Sequence, residues 1–208
     1  MDASSAGADV PSAIDSAALW ASIRARHPRL WIALKEDARV TAMHRGERAV
    51  FGSFLDTFVQ IIRLAWVSDA FVAQALYRCK ARWQALGVPI LPRIAHRLAI
   101  MTAQVSIGDP VIVEPGIYVV HGQVVIDGLV EIQSGVVISP FVTIGLRSGD
   151  VTGPTVERDV SIGTGAKLIG PVTVGAGATI GANAVVVRDV PRGVTVVGAP
   201  AGQTAAAG

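Results

Sequence analysis

From Ile107 onward, aliphatic residues recur every six positions. Ile107, Val113, Val119 and Val125 keep the step. After one extra residue Ile132, Ile138 and Ile144 resume it. Beyond a polar insert, Val156, Ile162, Leu168, Val174, Ile180 and Val186 complete it. All but Leu168 are β-branched. Two residues earlier stands another small or apolar residue: Val105, Val111, Val130, Val136, Val142, Val160, Ala166, Val172, Ala178 or Ala184. Glycine often follows, as at Gly108, Gly145, Gly163, Gly175 and Gly181. A six-residue period fits neither an α-helix nor an ordinary sheet. It predicts a parallel β-helix, in which each short strand covers one flat face and a tight turn leads to the next.

Ahead of the repeats the period is helical. A first helix runs from Ser16 through Leu19, Trp20 and Ile23 to about His27, where Pro28 interrupts and opens a second, ending near Gly46. A third spans Phe51 to Trp66, with Phe54, Leu55, Phe58, Ile61, Ile62 and Ala65 at helical spacing. Ser68 reads as the N-cap of a fourth, with Phe71, Val72, Ala75, Leu76 and Trp83 on one face. Gly87, Pro89 and Pro92 close it, and a short helix from Arg93 to Met101 leads into the repeats. The fold class expected is α+β, with four segments: a disordered 1–15, a helical domain 16–103, a β-helix 104–192 and a tail 193–208. One stretch of the β-helix is irregular, the insert between Ile144 and Val156. It is two repeats long, so register is kept while a loop is expected to replace one face. Loops extruded from a regular scaffold commonly carry function.

Composition narrows the classes. The chain has 208 residues, 51% of them hydrophobic and 5% aromatic, with 22 glycines concentrated in the second half, which suits narrow stacked turns. Residues 1–100 carry thirteen Lys/Arg against eight Asp/Glu, and 101–208 carry five against eight. The basic half shows no recognition helix, aromatic platform or Arg-rich run, so its charge reads as a solvated helix surface and no nucleic acid is expected. A single cysteine, Cys79, excludes an internal disulfide and a cysteine-based zinc site. Arg63 and Asp69 break the most apolar helical region, so no membrane span is expected. No basic segment followed by an apolar one opens the chain, and a cytoplasmic location is the expectation.

The stretch from Gly163 to Val186, with Val190-Pro191-Arg192-Gly193 and Val197-Gly198-Ala199-Pro200-Ala201 after it, resembles the hexapeptide-repeat acyltransferases, and among them serine O-acetyltransferase. The match covers roughly the last half of the chain. The resemblance implies a left-handed β-helix, a homotrimer or a dimer of trimers, and acetyl-CoA as co-substrate in the groove between neighbouring prisms. It places His121 where the family keeps the base that deprotonates the acceptor hydroxyl. It assigns Gly145, Thr164, Ala182 and Lys167 to the CoA groove, with Lys167, Arg188 or Arg192 suited to the phosphates. The chain departs from the family at three positions. Val120 stands where an acidic residue precedes the histidine, Gly153 replaces a second histidine, and Ser106 replaces an aspartate that holds the amino acid. Ser106 and Gly153 therefore mark the expected substrate side.

The chemistry points the same way. Moving an acyl group from a thioester to an alcohol needs a base that titrates near neutrality, and imidazole is the natural choice. His121 is the only histidine in the β-helix; His27, His44 and His96 precede it. Its orienting carboxylate is expected on a nearby turn, with Asp127 taken first and Glu131, Asp109 and Glu114 as alternatives. The function expected is acetyl transfer from acetyl-CoA to a small hydroxylated metabolite, L-serine or a related amino acid first, within cysteine biosynthesis. The alternatives are a sugar or specialised-metabolite acyltransferase and a non-catalytic trimeric scaffold. A zinc lyase on the same fold needs three histidines around the metal, so no metal is expected.

Overall fold

The computed structural model describes residues 16–203. The disorder expected for 1–15 lies outside the described residues. Five helices come first: α1 (Ser16–Arg26), α2 (Leu30–His44), α3 (Phe54–Val67), α4 (Asp69–Ala85) and α5 (Leu91–Ala103). Ser53 and Ser68 cap α3 and α4 by accepting from the backbone N–H of Asp56 and Phe71.

The repeats then wind a left-handed parallel β-helix of about five turns. Its first coil holds β1 (Val105–Ile107), β2 (Ile112–Val113) and β3 (Tyr118–Val119). Its second holds β4 (Val124–Ile126), β5 (Leu129–Ile132) and β6 (Val137–Ile138). Its third holds β7 (Thr143–Gly145), β8 (Thr152–Val156) and β9 (Ser161–Ile162). Its fourth holds β10 (Lys167–Ile169), β11 (Thr173–Val174) and β12 (Thr179–Ile180). In the last, β13 (Val185–Val186) and β14 (Thr195–Val197) continue two faces, and β15 (Gly202–Gln203) folds back antiparallel on β14. Three sheets result: β1-β4-β7-β10-β13 on the first face, β2-β5-β8-β11 on the second, and β3-β6-β9-β12-β14 with β15 on the third.

The key aliphatics point inward in ladders. On the first face Ile107 lies over Ile126, which lies over Ile144, then Leu168 and Val186. On the third face Ile138, Ile162 and Ile180 stack the same way. All are essentially buried. Each such side chain contributes on the order of 2 kcal/mol of apolar burial, which holds narrow coils together without large rings.

Two expectations about register are corrected. Val125 is not an inward residue: it is 45% exposed, while Val124 and Ile126 on either side are fully buried. The extra residue falls before β4, in the turn 120–123, where Gln123 takes a left-handed φ of 64°. The insert after Ile144 does not replace a face either. It bulges from the corner between the first and second faces, and β8 still pairs with β5, with one register shift between Leu129 and Glu131.

The helical layer closes the open end of the prism, and it does so with polar groups. A first coil leaves backbone carbonyls without a neighbouring strand. From α4, Gln74 donates to Ile117 O, Tyr77 to Val111 O, Arg78 to Val113 O and Glu114 O, and Lys80 to Ile107 O. Gln74, Arg78 and Lys80 are buried in consequence. The face of α4 read from its apolar residues is therefore corrected: of Phe71, Val72, Ala75, Leu76 and Trp83 only Phe71 is buried and the others are half-buried, while the buried face is Ala70, Phe71, Ala73, Gln74, Tyr77, Arg78, Lys80 and Ala81. The apolar residues of α3 are divided as well. Ile61 and Leu64 are buried, while Leu55, Phe58, Val59, Ile62 and Trp66 face outward, Trp66 at 88% exposure.

Candidate active site

His121 sits in the turn between β3 and β4, at the corner joining the third face to the first. The C-terminal end of α5 holds this turn: Gln123 N–H donates to Ala103 O at 2.9 Å. A β-carbon on Gly122 would lie 1.8 Å from that same Ala103 oxygen, so only glycine lets helix and turn approach this closely. Around His121 opens a cavity of about 370 Å³. Its walls are the N-terminal end of α4 (Ser68, Asp69, Ala70), Arg45 at the C-terminal end of α2, and Met101 to Gln104.

None of the carboxylates expected to orient His121 lines this cavity. Asp127 is at the far end of β4, whose three residues alone span about 10 Å, and it lines a different cavity. Glu131 is paired with Arg26 at 2.7 Å and Asp109 with Lys80 at 3.0 Å. Glu114 accepts from Ser134 N–H at 3.0 Å. The acidic residue that does share the cavity is Asp69; Arg45 lines it too, with its Nε donating to Glu47 at 2.9 Å. The sequence concealed Asp69 because an acidic residue in a helix's first turn, next to the N-cap, ordinarily serves that helix.

Ser106 lies on β1, half-buried and paired in register with Val125 beside this corner. Gly153 is buried in β8, where a β-carbon would meet Val130 Cγ2 at 2.6 Å, so a histidine there requires Val130 to move. Thr164 and Ala182 are exposed on the same corner as His121, two and three coils further on, with Asn183 N–H donating to Thr164 O. At about 4.8 Å per coil, His121 and Ala182 lie on the order of 14 Å apart along one edge. Lys167 and Gly145 belong to the adjacent first face. Gly145 is buried, and the Lys167 ammonium donates to Phe141 O at 2.7 Å and Gly165 O at 3.0 Å, so its charge already serves two turn carbonyls. The corner thus carries small residues at Thr164 and Ala182, the exposed ring of Phe141 (54%) in the turn between them and His121, and the one histidine at its helical end.

No group of three or more His, Cys, Asp or Glu side chains is gathered for a metal among the described residues. No described helix is long and apolar enough to cross a membrane.

Fold and corner together are those of a hexapeptide-repeat transferase: the six-repeat bacterial transferase hexapeptide model matches residues 153–188. Over 115 residues the chain is 38% identical to the serine acetyltransferase of Helicobacter pylori, covering 53% of this chain and 67% of that one. It belongs to the serine acetyltransferase family. The serine acetyltransferase of Bacillus licheniformis is 38% identical over 132 residues, 62% of this chain and 58% of its own. The chain spans about half the length of several curated relatives it matches. A soybean serine acetyltransferase solved with serine superposes with a TM-score of 0.72 at 26% identity, covering 90% of this chain and 74% of that one. A serine acetyltransferase solved with CoA gives 0.66 at 26%, covering 82% and 68%.

Proposed function

We propose that this chain transfers the acetyl group of acetyl-CoA to the hydroxyl of L-serine or a close amino-acid analogue. The observation that carries the proposal is the placement of the only β-helix histidine in a cavity at the helical end of the corner that carries Thr164 and Ala182. Support comes from family membership and from the relatives solved with serine and with CoA.

In this reading acetyl-CoA lies along the corner past Ala182 and Thr164, and its thioester reaches the His121 cavity. The His121 imidazole takes the proton of the serine hydroxyl as the oxygen attacks the thioester carbonyl carbon. The tetrahedral intermediate collapses, the C–S bond breaks, and the proton passes from the imidazolium to the departing sulfur. The products are O-acetylserine and CoA thiol. An amino acid presents a carboxylate and an ammonium, and Arg45 and Asp69 are the complementary pair in the cavity. They stand in for the family residues absent at Ser106, Val120 and Gly153.

The rest of the proposal concerns the assembly. The helical unit 16–103 positions Asp69 and Arg45, and the β-helix unit 104–192 carries His121 and the corner. Three copies form a trimer whose neighbouring prisms complete the groove, in the cytoplasm where acetyl-CoA is at hand.

The test is thiol release from acetyl-CoA over a panel of amino acids, amino sugars and sugars. L-serine is expected to be the best acceptor. His121→Ala is expected to lower turnover by about 10² to 10⁴-fold with acetyl-CoA affinity unchanged. Full activity in that variant refutes the role of His121. A wild-type protein that binds acetyl-CoA and acetylates nothing refutes catalysis and leaves a non-catalytic trimeric subunit.

A further inference from the structure

A second cavity is larger than the one at His121. It lies at the other end of β4, between α1, the α4–α5 connection, the start of α5 and the first corner of the β-helix, with a volume of about 820 Å³. That is within the range of small-molecule sites. Three guanidinium groups line it: Arg24 from α1, and Arg93 and Arg97 from α5. None makes a side-chain hydrogen bond or ion pair among the described residues. Arg93 and Arg97 are four apart on one helix face, a spacing at which like charges repel.

The anionic groups present do not balance them. Asp109 is neutralised by Lys80 at 3.0 Å, and only Asp127 is left. Three positive charges against one leave a surplus of two. Guanidinium forks match the planar oxygens of carboxylate and phosphate, two parallel N–H donors at a time.

Other features describe the rest of the ligand. Trp20 gives a flat wall, and Ile23, Pro89 and Pro92 make the lining partly apolar. His27 and His96 also line the cavity. Burial lowers both imidazoles, His27 to about 4, so both are neutral at pH 7 and can donate and accept without adding charge. His27 Nδ1 is buried with no hydrogen-bond partner among the described residues.

We propose that this cavity is a second ligand site that takes a small organic dianion, a phosphate monoester or a dicarboxylate, with Arg24, Arg93 and Arg97 holding its two charges. It is separate from the His121 cavity: no residue lines both. The site does not depend on the acetyltransferase reading.

Isothermal titration of the full chain at low ionic strength tests it, with glycerol 3-phosphate and succinate as probes and glycerol as the neutral control. One saturable site per chain is expected for at least one dianion and none for glycerol. The tighter probe identifies which dianion chemistry the site prefers. Arg24→Gln and Arg97→Gln are each expected to weaken binding at least tenfold, the worth of a charge-assisted hydrogen bond. Both side chains are exposed and unpartnered, so the variants should melt like wild type, and Arg93→Gln is the substitute if either does not. His121→Ala should bind the dianion unchanged. The proposal is overturned if neither dianion binds saturably, if the double Arg24→Gln/Arg97→Gln variant binds as wild type does, or if acetyl-CoA displaces the probe.

Discussion

Replacing Arg78 by Met tests how the helical layer is joined to the β-helix. Arg78 is 2% and Asp37 1% exposed at the side chain, and they meet at 2.8 Å between Nε and Oδ2. The guanidinium also donates to Val113 O and Glu114 O, while Asp37 Oδ1 accepts from Gly116 N–H at 2.8 Å. The substitution keeps most of the volume but leaves a buried carboxylate unpaired and two first-coil carbonyls bare. Removing one partner of a buried pair costs about 3–5 kcal/mol. For a chain of this size each kcal/mol shifts Tm by about 2–4 °C, so a fall of about 6–20 °C is expected. The double variant Asp37→Asn/Arg78→Met removes the stranded charge while an amide oxygen can still accept from Gly116, so it should be more stable than Arg78→Met alone. Denaturant unfolding followed by circular dichroism gives both numbers, and hydrogen exchange at Gly116 locates the damage. A single variant within about 1 kcal/mol of wild type, or a double variant no better than the single, refutes the assignment of this pair as the joint.

Three further outcomes are expected. Ile162→Asp buries a carboxylate between Ile138 and Ile180 and should cost several kcal/mol, passing damage to both neighbouring coils; a wild-type melt would show the register to be wrong. Gly122→Ala forces Ala103 away from the His121 turn and should lower turnover at least tenfold with a smaller effect on melting; unchanged turnover would show that the turn tolerates the displacement. Burial, and then the charges of Arg78, Lys80 and Arg26, hold the His27 imidazole at about 4 instead of 6.5. Below about 6.5 the unfolded chain takes up a proton that the folded one refuses until about 4, so stability is complete above that window and falls within it, by on the order of 1 kcal/mol after solvent screening. His27→Gln should flatten that part of the pH–stability curve, and an unaltered curve would exclude His27 as its source.

The parts of the fold that were legible in the sequence are those set by apolar period. The six-residue step located the coils because each inward aliphatic must sit over the one before. It misplaced the extra residue by a few positions, since Val124, Val125 and Ile126 are all aliphatic and only their burial tells them apart. The capping face of α4 was illegible for the opposite reason. Gln74, Arg78 and Lys80 look like solvated positions until their partners, carbonyls some thirty to forty residues away, are in place. The same holds at the site. His121 stands out as the lone histidine of a regular scaffold, whereas Asp127, expected on a nearby turn, lies across a strand. Asp69 reaches the His121 cavity only because α4 is laid over the first coil.

That arrangement also accounts for where the cavities are. An open first coil needs donors, and α4 supplies them along its middle, from Gln74 to Lys80. Helix and coil are straight objects of different length and direction, so the ends of the helix overhang the corners of the prism. Its N-terminal end, at Ser68 to Ala70, overhangs the corner that carries His121. Its other end, at Gln84, overhangs the corner that carries Asp109 and Asp127. Each overhang leaves a cleft walled by helix on one side and by turn on the other. The polar cap therefore does more than satisfy an edge: its length sets two chemically different clefts at the two ends of one strand, β4. A substitution that tilts α4 should disturb both clefts together, while Arg24 and Arg97, on α1 and α5, can be changed without touching the cap.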